Sequence, residues 1–289
     1  MGNSQRRVAV VTGASSGIGR ETARTLASQG WHVIGIGRDP GRCADAAHEI
    51  AAASRGGGAI DMLRADLSLL REARRVAEEV AALTDRIDVL VNNAGGIANR
   101  KIVTDEGNDE NFASNHLGPF VLTNRLLPLL RRTAGHAPKG SVRIVMTSSD
   151  ASEMAPDLIW DDLQLEKNFN PGVAYVQAKL ANSLFASGLA TRLEKDGVIV
   201  HAVHPGAVRT NFSSHADADM SAYLATIDAV SPAEGADTLI WLATADEPGE
   251  TTGGYYFRRQ PRAPNPLVHD RTAVDRLWEE SEKIVGLTQ

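Results

Sequence analysis

Tyr175 and Lys179 stand four residues apart in Tyr-Val-Gln-Ala-Lys, inside an amphipathic stretch that follows Ser148-Ser149. On a helix that offset is about 6 Å along the axis and puts both side chains on one face. A phenol with its ordinary pKa of about 10 is a poor base near neutrality. An ammonium beside it stabilises the phenolate, so the pair could serve as a tuned acid or base. The same pair on a plain amphipathic helix has no chemistry at all, so the reading depends on what surrounds it.

The second chemical feature lies at the other end of the chain. Thr12-Gly13-Ala14-Ser15-Ser16-Gly17-Ile18-Gly19 follows the apolar run Val8–Thr12 and opens a helical stretch. A strand that turns at Gly13 into a helix beginning near Gly17 aims free backbone N–H groups and the positive helix end at one pocket, where a pyrophosphate belongs. Glycines allow the tight turn and the close approach of the phosphates. Three spaced glycines alone also fit ordinary turns, and their place after the first strand strengthens the phosphate reading.

The elements that must hold these residues read as a repeated βα rhythm. Val8–Thr12, His32–Ile36, Ala59–Leu63, Ile87–Val91, Val142–Thr147 and Val198–Val203 are the expected strands. Helical periods run over Ser16–Gln29, Arg42–Ala53, Ser68–Leu83, Glu110–Arg132 and the stretch carrying Tyr175 and Lys179. Gly30 is an expected helix stop. Ser231-Pro232-Ala233-Glu234 has the form of a capping box with proline at the first helical position, which predicts a helix over Pro232–Ala243. Thr252–Phe257 reads as a last strand, Gln260–Pro266 as a loop, and Thr272–Val285 as a terminal amphipathic helix. The expected fold is a single α/β domain over residues 1–289, a doubly wound parallel sheet of the Rossmann type with helices on both faces.

The Thr-Gly-x-x-x-Gly-x-Gly spacing resembles that of the short-chain dehydrogenase/reductase family, and more of the chain then falls into register. The resemblance implies that Gly13, Ser15, Ser16, Gly17, Ile18 and Gly19 hold the cofactor phosphates, and that Asp66 and Leu67 meet the adenine. Asn92, Ala94 and Gly95, from Asn92-Asn93-Ala94-Gly95, would line the cofactor. In His204-Pro205-Gly206-Ala207-Val208-Arg209-Thr210, it implies that Pro205, Gly206, Val208 and Thr210 orient the nicotinamide. The family's catalytic tetrad maps onto Asn115, Ser149, Tyr175 and Lys179, with Tyr175 and Lys179 also touching the cofactor. Tyr175 would be the acid or base, Ser149 would hold the substrate oxygen, and Asn115 would support a water chain to the lysine. Ser148 competes with Ser149 for its role. His116 reads as a packing or surface residue.

The end of the second strand bears on the cofactor. Gly37 stands where an NAD-selecting acid is usual, and Arg38 follows it, suited to a charge-assisted contact with a 2′-phosphate. NADP(H) is therefore favoured. NAD(H) stays open, because a strand running one or two residues further would offer Asp39 to the ribose.

Ser149 and Tyr175 are 26 positions apart, more than in the simplest members of the family. The intervening Trp160–Phe169, with Asp162-Leu163-Gln164-Leu165-Glu166-Lys167, is similar to the retinol-dehydrogenase-like branch. Asn115–Gly118, Ala178–Asn182, His204–Gly206 and Arg276–Glu279 extend that likeness over nearly the whole chain. It implies an apolar alcohol, aldehyde or ketone as substrate, covered by segments about 150–174 and 211–230. Met154–Trp160 and Phe212–Leu224 are the variable parts, and Met220, Tyr223 and Leu224 line either the pocket or a helix face. Two other activities stay open at this stage: a non-catalytic NADP(H) sensor on the same fold and a reductase of carbon–carbon double bonds.

The remaining composition narrows the partners. A formal net charge of −6 without a basic block argues against nucleic acid and anionic membrane surfaces. No apolar run approaches the roughly 20 residues of a membrane anchor, and no signal-peptide pattern opens the chain. The one cysteine, Cys43, cannot form an internal disulfide, and the eight histidines lack metal-ligand spacing. The expectation is a cytoplasmic protein with a small-molecule substrate and no metal. The family's paired helices imply a homodimer or homotetramer.

Overall fold

Runs dense in Val and Ile become strands because branched side chains suit a pleat covered on both faces. The computed structural model describes residues 6–209 and 229–287. Six parallel strands alternate with helices: β1 (Val8–Thr12), β2 (His32–Gly37), β3 (Ala59–Arg64), β4 (Val89–Asn92), β5 (Arg143–Thr147) and β6 (Ile199–Val203). β7 (Tyr255–Phe257) continues the parallel set beside β6, and β8 (Gln260–Pro261) pairs antiparallel with β7. The order across the sheet is β3-β2-β1-β4-β5-β6-β7-β8, so the direction of winding reverses between β1 and β4. Ligands of open parallel sheets bind at such a reversal, beyond the carboxyl ends of the strands.

Alternation along β1 divides the core. Val8 and Val10 face one side of the sheet, and Ala9 and Val11 face the other. One face is covered by α1 (Gly17–Ser28), α2 (Pro40–Ala53) and a later helix, Pro232–Thr244, through Ala23, Leu26, Ala46, Ile50, Leu239 and Leu242. The opposite face is covered by α3 (Leu70–Leu83), by the compound helix α4 (Glu110–Phe112) and α5 (Gly118–Ala134), and by α6 (Pro171–Leu193). Pro232–Thr244 is α7, and the capping box at its start is formed as expected, with Ser231 Oγ accepting from Glu234 N–H. The terminal helix, α8 (Arg271–Val285), lies on α6 and α5: Trp278 packs on Phe120 and Phe185 at 5.1 and 5.6 Å between ring centres.

Two details differ from the sequence reading. Gln260–Pro261 is a short strand and not part of a loop: Phe257 turns back on it through Arg258 and Arg259, both in the left-handed region. This hairpin depends on two arginines adopting positive φ, which residue type does not announce. The long helix expected over Glu110–Arg132 is also broken, by a π-helical turn over Ala113–Leu117. Such a turn follows from how the helix is packed, and no residue type marks it.

Candidate active site

At the carboxyl end of β1 the chain turns at Gly13, with φ +71°, and enters α1 through Gly17, with φ +53°. A Cβ at Gly19 would lie 2.3 Å from the Gly13 carbonyl oxygen, so only glycine lets the helix lie against this turn. The first turn of α1 has N–H groups with no intrahelical acceptor, and the Ser16 side chain does not cap them. An uncapped helix end framed by glycines fits a bound pyrophosphate. Ser15, Ser16, Gly17, Ile18 and Gly19 lie at this turn and the start of α1.

Thr12 ties this turn to the end of β4. Its hydroxyl accepts from Asn93 N–H and Ala94 N–H, both at 2.9 Å, and Asn93 Nδ2 donates to the Thr12 carbonyl at 3.1 Å. Asn92 turns inward, donating to Thr123 Oγ1 at 2.8 Å, so what it offers a nucleotide is backbone. The sequence reading gave Thr12 no role, although a hydroxyl at the end of a buried strand needs a partner and so hints at such a latch.

At the other end of the cleft, β2 finishes at Gly37. A Cβ there would meet Cys43 Sγ at 2.6 Å and Ser15 Oγ at 2.8 Å. Asp39 caps α2, its carboxylate accepting from Arg42 N–H at 2.8 Å. Arg38 extends beside Asp66 and Glu110, at 3.8 and 3.5 Å. Asp66 forms its own turn, accepting from Ser68 N–H at 3.0 Å and from Ser68 Oγ at 2.8 Å, and Leu67 behind it is buried. A cavity of about 530 Å³ opens here between Arg38, Arg64, Asp66, Leu69, Glu72 and Arg75. Arg64, absent from the sequence reading, is paired with Gly37 across the β2–β3 ladder, and its Nε donates to the Arg38 carbonyl at 3.3 Å.

The four tetrad positions come from three elements. Ser149 follows β5, Tyr175 and Lys179 lie on the first turns of α6, and Asn115 sits in the π-helical turn. Gly95 brings them together: a Cβ on it would be 2.5 Å from Asn115 Oδ1 and 3.3 Å from Lys179 Nζ. Asn115 is fixed by Gly96, donating to its carbonyl at 2.9 Å and accepting from its N–H at 3.2 Å. The π-helical turn leaves backbone acceptors unpaired with a fourth-residue donor, and Asn115 Nδ2 takes one of them, the Asn111 carbonyl, at 2.8 Å. Ser148 and Ser149 part company: Ser148 Oγ bonds the Lys179 carbonyl and Ser183 Oγ inside the protein, both at 2.8 Å. Ser149 instead hydrogen-bonds the Tyr175 phenol.

The electrostatics differ from the expectation of a phenol made acidic by the ammonium. Lys179 Nζ lies 5.5 Å from the Tyr175 ring centre. Burial dominates both groups, pushing the phenol up to about 12 and the lysine down to about 8. The Ser149 hydrogen bond lowers the phenol and the nearby Asp150 carboxylate raises it. Desolvation disfavours each charged form, so the protein by itself holds a neutral phenol beside a readily deprotonated lysine.

Beyond β6, Gly206 has φ +89°, next to Pro205, and Val208 bridges to Val230. Val208 Cγ2 stands 2.6 Å from where a Cβ of Gly235 would be, with Ile18 close by, so this segment closes over the start of α1. Thr210 and the Phe212–Leu224 segment, with Met220, Tyr223 and Leu224, lie outside the described residues. The insertion before α6 is well anchored. Lys101 Nζ donates to the Leu165 carbonyl at 2.7 Å, and Gln177 joins it to α6 through Ile159 N–H at 2.8 Å and the Leu163 carbonyl at 2.7 Å. Among the described residues no helix is long and apolar enough to cross a membrane.

Comparison with known proteins agrees with this architecture. Residues 7–221 match the family model described as short chain dehydrogenase. Retinol dehydrogenase 13 of Homo sapiens is 35% identical, over 97% of this chain and 85% of its own. Retinol dehydrogenase 14 of Homo sapiens is also 35% identical, over 97% and 87%. Among solved structures, the Pseudomonas aeruginosa RhlG/NADP active-site complex superposes with a TM-score of 0.69 at 29% identity, covering 86% of this chain and 93% of that one. The chain belongs to the short-chain dehydrogenase family, in its retinol-dehydrogenase-like branch, and is an NAD(P)-dependent oxidoreductase acting on CH–OH groups.

Proposed function

We propose that this oxidoreductase uses NADP(H) to interconvert an apolar alcohol with its ketone or aldehyde, with Tyr175 as the general acid or base. The observation that carries the proposal is the convergence of Asn115 and Lys179 on Gly95, with the Tyr175 phenol hydrogen-bonded to Ser149 beside them. A bound dinucleotide supplies or accepts the hydride. Ser149 orients the substrate oxygen toward the phenol. The neutral phenol gives its proton to that oxygen during reduction, and Lys179, while charged, offsets the phenolate left behind. Asn115 supports the lysine through its fixed place beside Gly95 and Gly96.

The shape of the cleft supports a set of residues to hold the dinucleotide. The uncapped start of α1, with Gly13, Ser15, Ser16, Gly17, Ile18 and Gly19, takes the phosphates, and Asp66 and Leu67 take the adenine. Asn92, Ala94 and Gly95 flank the middle, and Pro205, Gly206 and Val208, with Thr210 beyond them, take the nicotinamide. Three features support NADP(H) over NAD(H). Gly37 has no room for an acidic side chain, Asp39 is occupied as a helix cap, and Arg38 and Arg64 line one cavity. The RhlG neighbour, an NADP complex, points the same way. Support for an apolar substrate comes from Met154, 77% exposed, with Ile159 and Val173 also exposed around the segment that precedes Tyr175.

The test is NADPH consumption across a panel of apolar ketones and aldehydes, with product identification. Tight NADPH binding with no oxidation by any carbonyl would refute the catalytic reading and leave a nucleotide sensor. A saturated product that keeps its carbonyl would assign the chain to double-bond reduction.

A further inference from the structure

Asp150 occupies a place in the site that the tetrad does not account for. It directly follows Ser149 at the head of a short 3-10 turn, Asp150–Glu153, and its Oδ1 accepts from Ser149 Oγ at 3.0 Å. The other carboxylate oxygen lies 3.5 Å from His204 Nε2, and the Asp150 N–H donates to His204 Nδ1 at 3.2 Å. His204 therefore carries its proton on Nε2 and grips the residue by two atoms. The imidazole is buried against Phe257, at 4.8 Å between ring centres, and burial holds it below its ordinary pKa while Asp150 acts against that shift. A neutral imidazole thus locks an acidic side chain, 56% exposed, against the serine that faces Tyr175.

We propose that Asp150, held by His204, is a positioning residue that engages the Ser149 hydroxyl proton and keeps the Tyr175 phenol protonated, biasing the enzyme toward carbonyl reduction. This rests on the function proposed above. The hydroxyl of Ser149 has one proton and two lone pairs. With the proton turned to Asp150 and one acceptor position taken by Ala151 N–H at 3.2 Å, Ser149 has no proton left for the phenol, so the lowering that a hydrogen bond from Ser149 exerts on Tyr175 is withdrawn. A negative charge one residue away also opposes formation of a second one on the phenol. The carboxylate is half open to water, so its field is screened and its effect is a modest displacement of the pH profile. The other charged groups around it are Glu153 on the same turn, Arg262 after β8, which is bound to Glu153 at 2.8 Å, and Lys179 behind the phenol. Arg262 and Glu153 largely cancel, leaving Asp150 as the nearest net charge to the phenol on the serine side.

The experiment compares wild type with Asp150→Asn and Asp150→Glu. Asparagine keeps an acceptor for Ser149 and removes the charge, at the cost of the acceptor that faces His204 Nε2. The pH dependence of kcat/KM is measured in both directions, with apolar carbonyls and NADPH and with the corresponding alcohols and NADP⁺. In Asp150→Asn the ascending limb for alcohol oxidation is expected at lower pH, seen as a several-fold gain in oxidation at neutral pH, while Asp150→Glu keeps the wild-type limb. A second readout needs no cofactor. The phenolate absorbance of Tyr175, isolated by subtracting the same titration on Tyr175→Phe, should appear at lower pH in Asp150→Asn. Superimposable profiles and titrations would overturn the proposal, as would a change in KM alone. If the wild type oxidises NADPH with no carbonyl, the functional reading fails instead, and the phenolate titration still decides whether Asp150 governs Tyr175.

Discussion

Lys179 Nζ stands 5.5 Å from the centre of the Tyr175 ring, yet burial, and not this ammonium, sets the phenol's state in the free protein. The lysine responds to the same burial and falls to about 8 from an ordinary 10.5. Its charge therefore changes within the working pH range. Below that value the ammonium is present to offset a developing phenolate, and above it the support is lost. The kcat/KM for carbonyl reduction should decline as pH rises through about 8. Lys179→Arg, whose guanidinium stays charged, should remove that decline even if it lowers the maximum. A wild-type profile flat well past this range would contradict the assignment.

Removing the phenol oxygen tests the proton donor directly. Tyr175→Phe keeps the ring and the packing of α6, and it deletes the group bonded to Ser149. Proton transfer by a placed side chain is worth roughly a hundredfold to ten-thousandfold. Turnover should drop by about that factor, with the NADPH dissociation constant nearly unchanged by fluorescence titration. Substantial residual turnover would exclude Tyr175 as the donor.

Cofactor choice should be decided by two guanidinium groups. Arg38 and Arg64 share the cavity beside Asp66, and Arg64 also holds the Arg38 carbonyl at 3.3 Å. Arg38→Ala should weaken NADPH by about tenfold or more, in line with loss of a charge-assisted contact, and leave NADH little affected. Arg64→Gln should weaken NADPH less, and the double variant should show a coupling between the two, because removing Arg64 also frees the backbone of Arg38. Equal losses for NADPH and NADH would rule out a 2′-phosphate contact.

These predictions divide into what residue order reveals and what it hides. Strand positions were legible because buried parallel strands are written as runs such as Val8–Val11 and Val33–Ile36. The capping box at Ser231 and the glycine turn at Gly13 were legible because each depends on one local conformation. The break at Ala113–Leu117 was not, since a π-helical turn is set by packing and no residue type marks it. The Asp150–His204 contact joins residues 54 positions apart, and nothing local to either announces it. Arg64 had no role in the sequence reading, and only the register of β2 on β3 sets it against Gly37 and Arg38. The electrostatic expectation for Tyr175 erred because spacing reveals the neighbouring charge but not the burial that outweighs it.

Gly95 offers a test of how tightly the site is built. Its backbone does not need glycine's conformational freedom, so Gly95→Ala should leave folding intact. The added Cβ would stand 2.5 Å from Asn115 Oδ1 and 3.3 Å from Lys179 Nζ. Asn115 must then leave its bonds to Gly96, and Lys179 loses its neighbour. Displacement of a positioned group by about an ångström can cost up to roughly a hundredfold. A loss of at least about tenfold in kcat with little change in thermal midpoint is expected. Wild-type turnover in this variant would show that Asn115 has no part in catalysis.

The neighbouring His116 should leave its mark on stability and not on catalysis. It is fully buried among Phe112, Phe120 and Phe185, and its Nε2 meets Ser281 Oγ of α8 at 2.8 Å. Burial pushes it from 6.5 down to about 3, so between those values the unfolded chain takes up a proton that the folded chain refuses. Stability is then full above pH 6.5 and falls as pH drops toward about 3, where the loss levels off. His201 and His204, also held low by burial, add slopes of the same sign, so the wild type alone cannot isolate one residue. His116→Leu removes the ionisable group. It should be less stable at neutral pH, because Ser281 loses one of its two hydrogen-bond partners and keeps only the Leu277 carbonyl, yet its urea midpoint should fall less steeply between pH 6.5 and 4 than that of the wild type. Parallel midpoint curves for the two proteins would mean that His116 accepts its proton inside the fold, and that the contact between the π-helical turn and α8 opens before the chain unfolds.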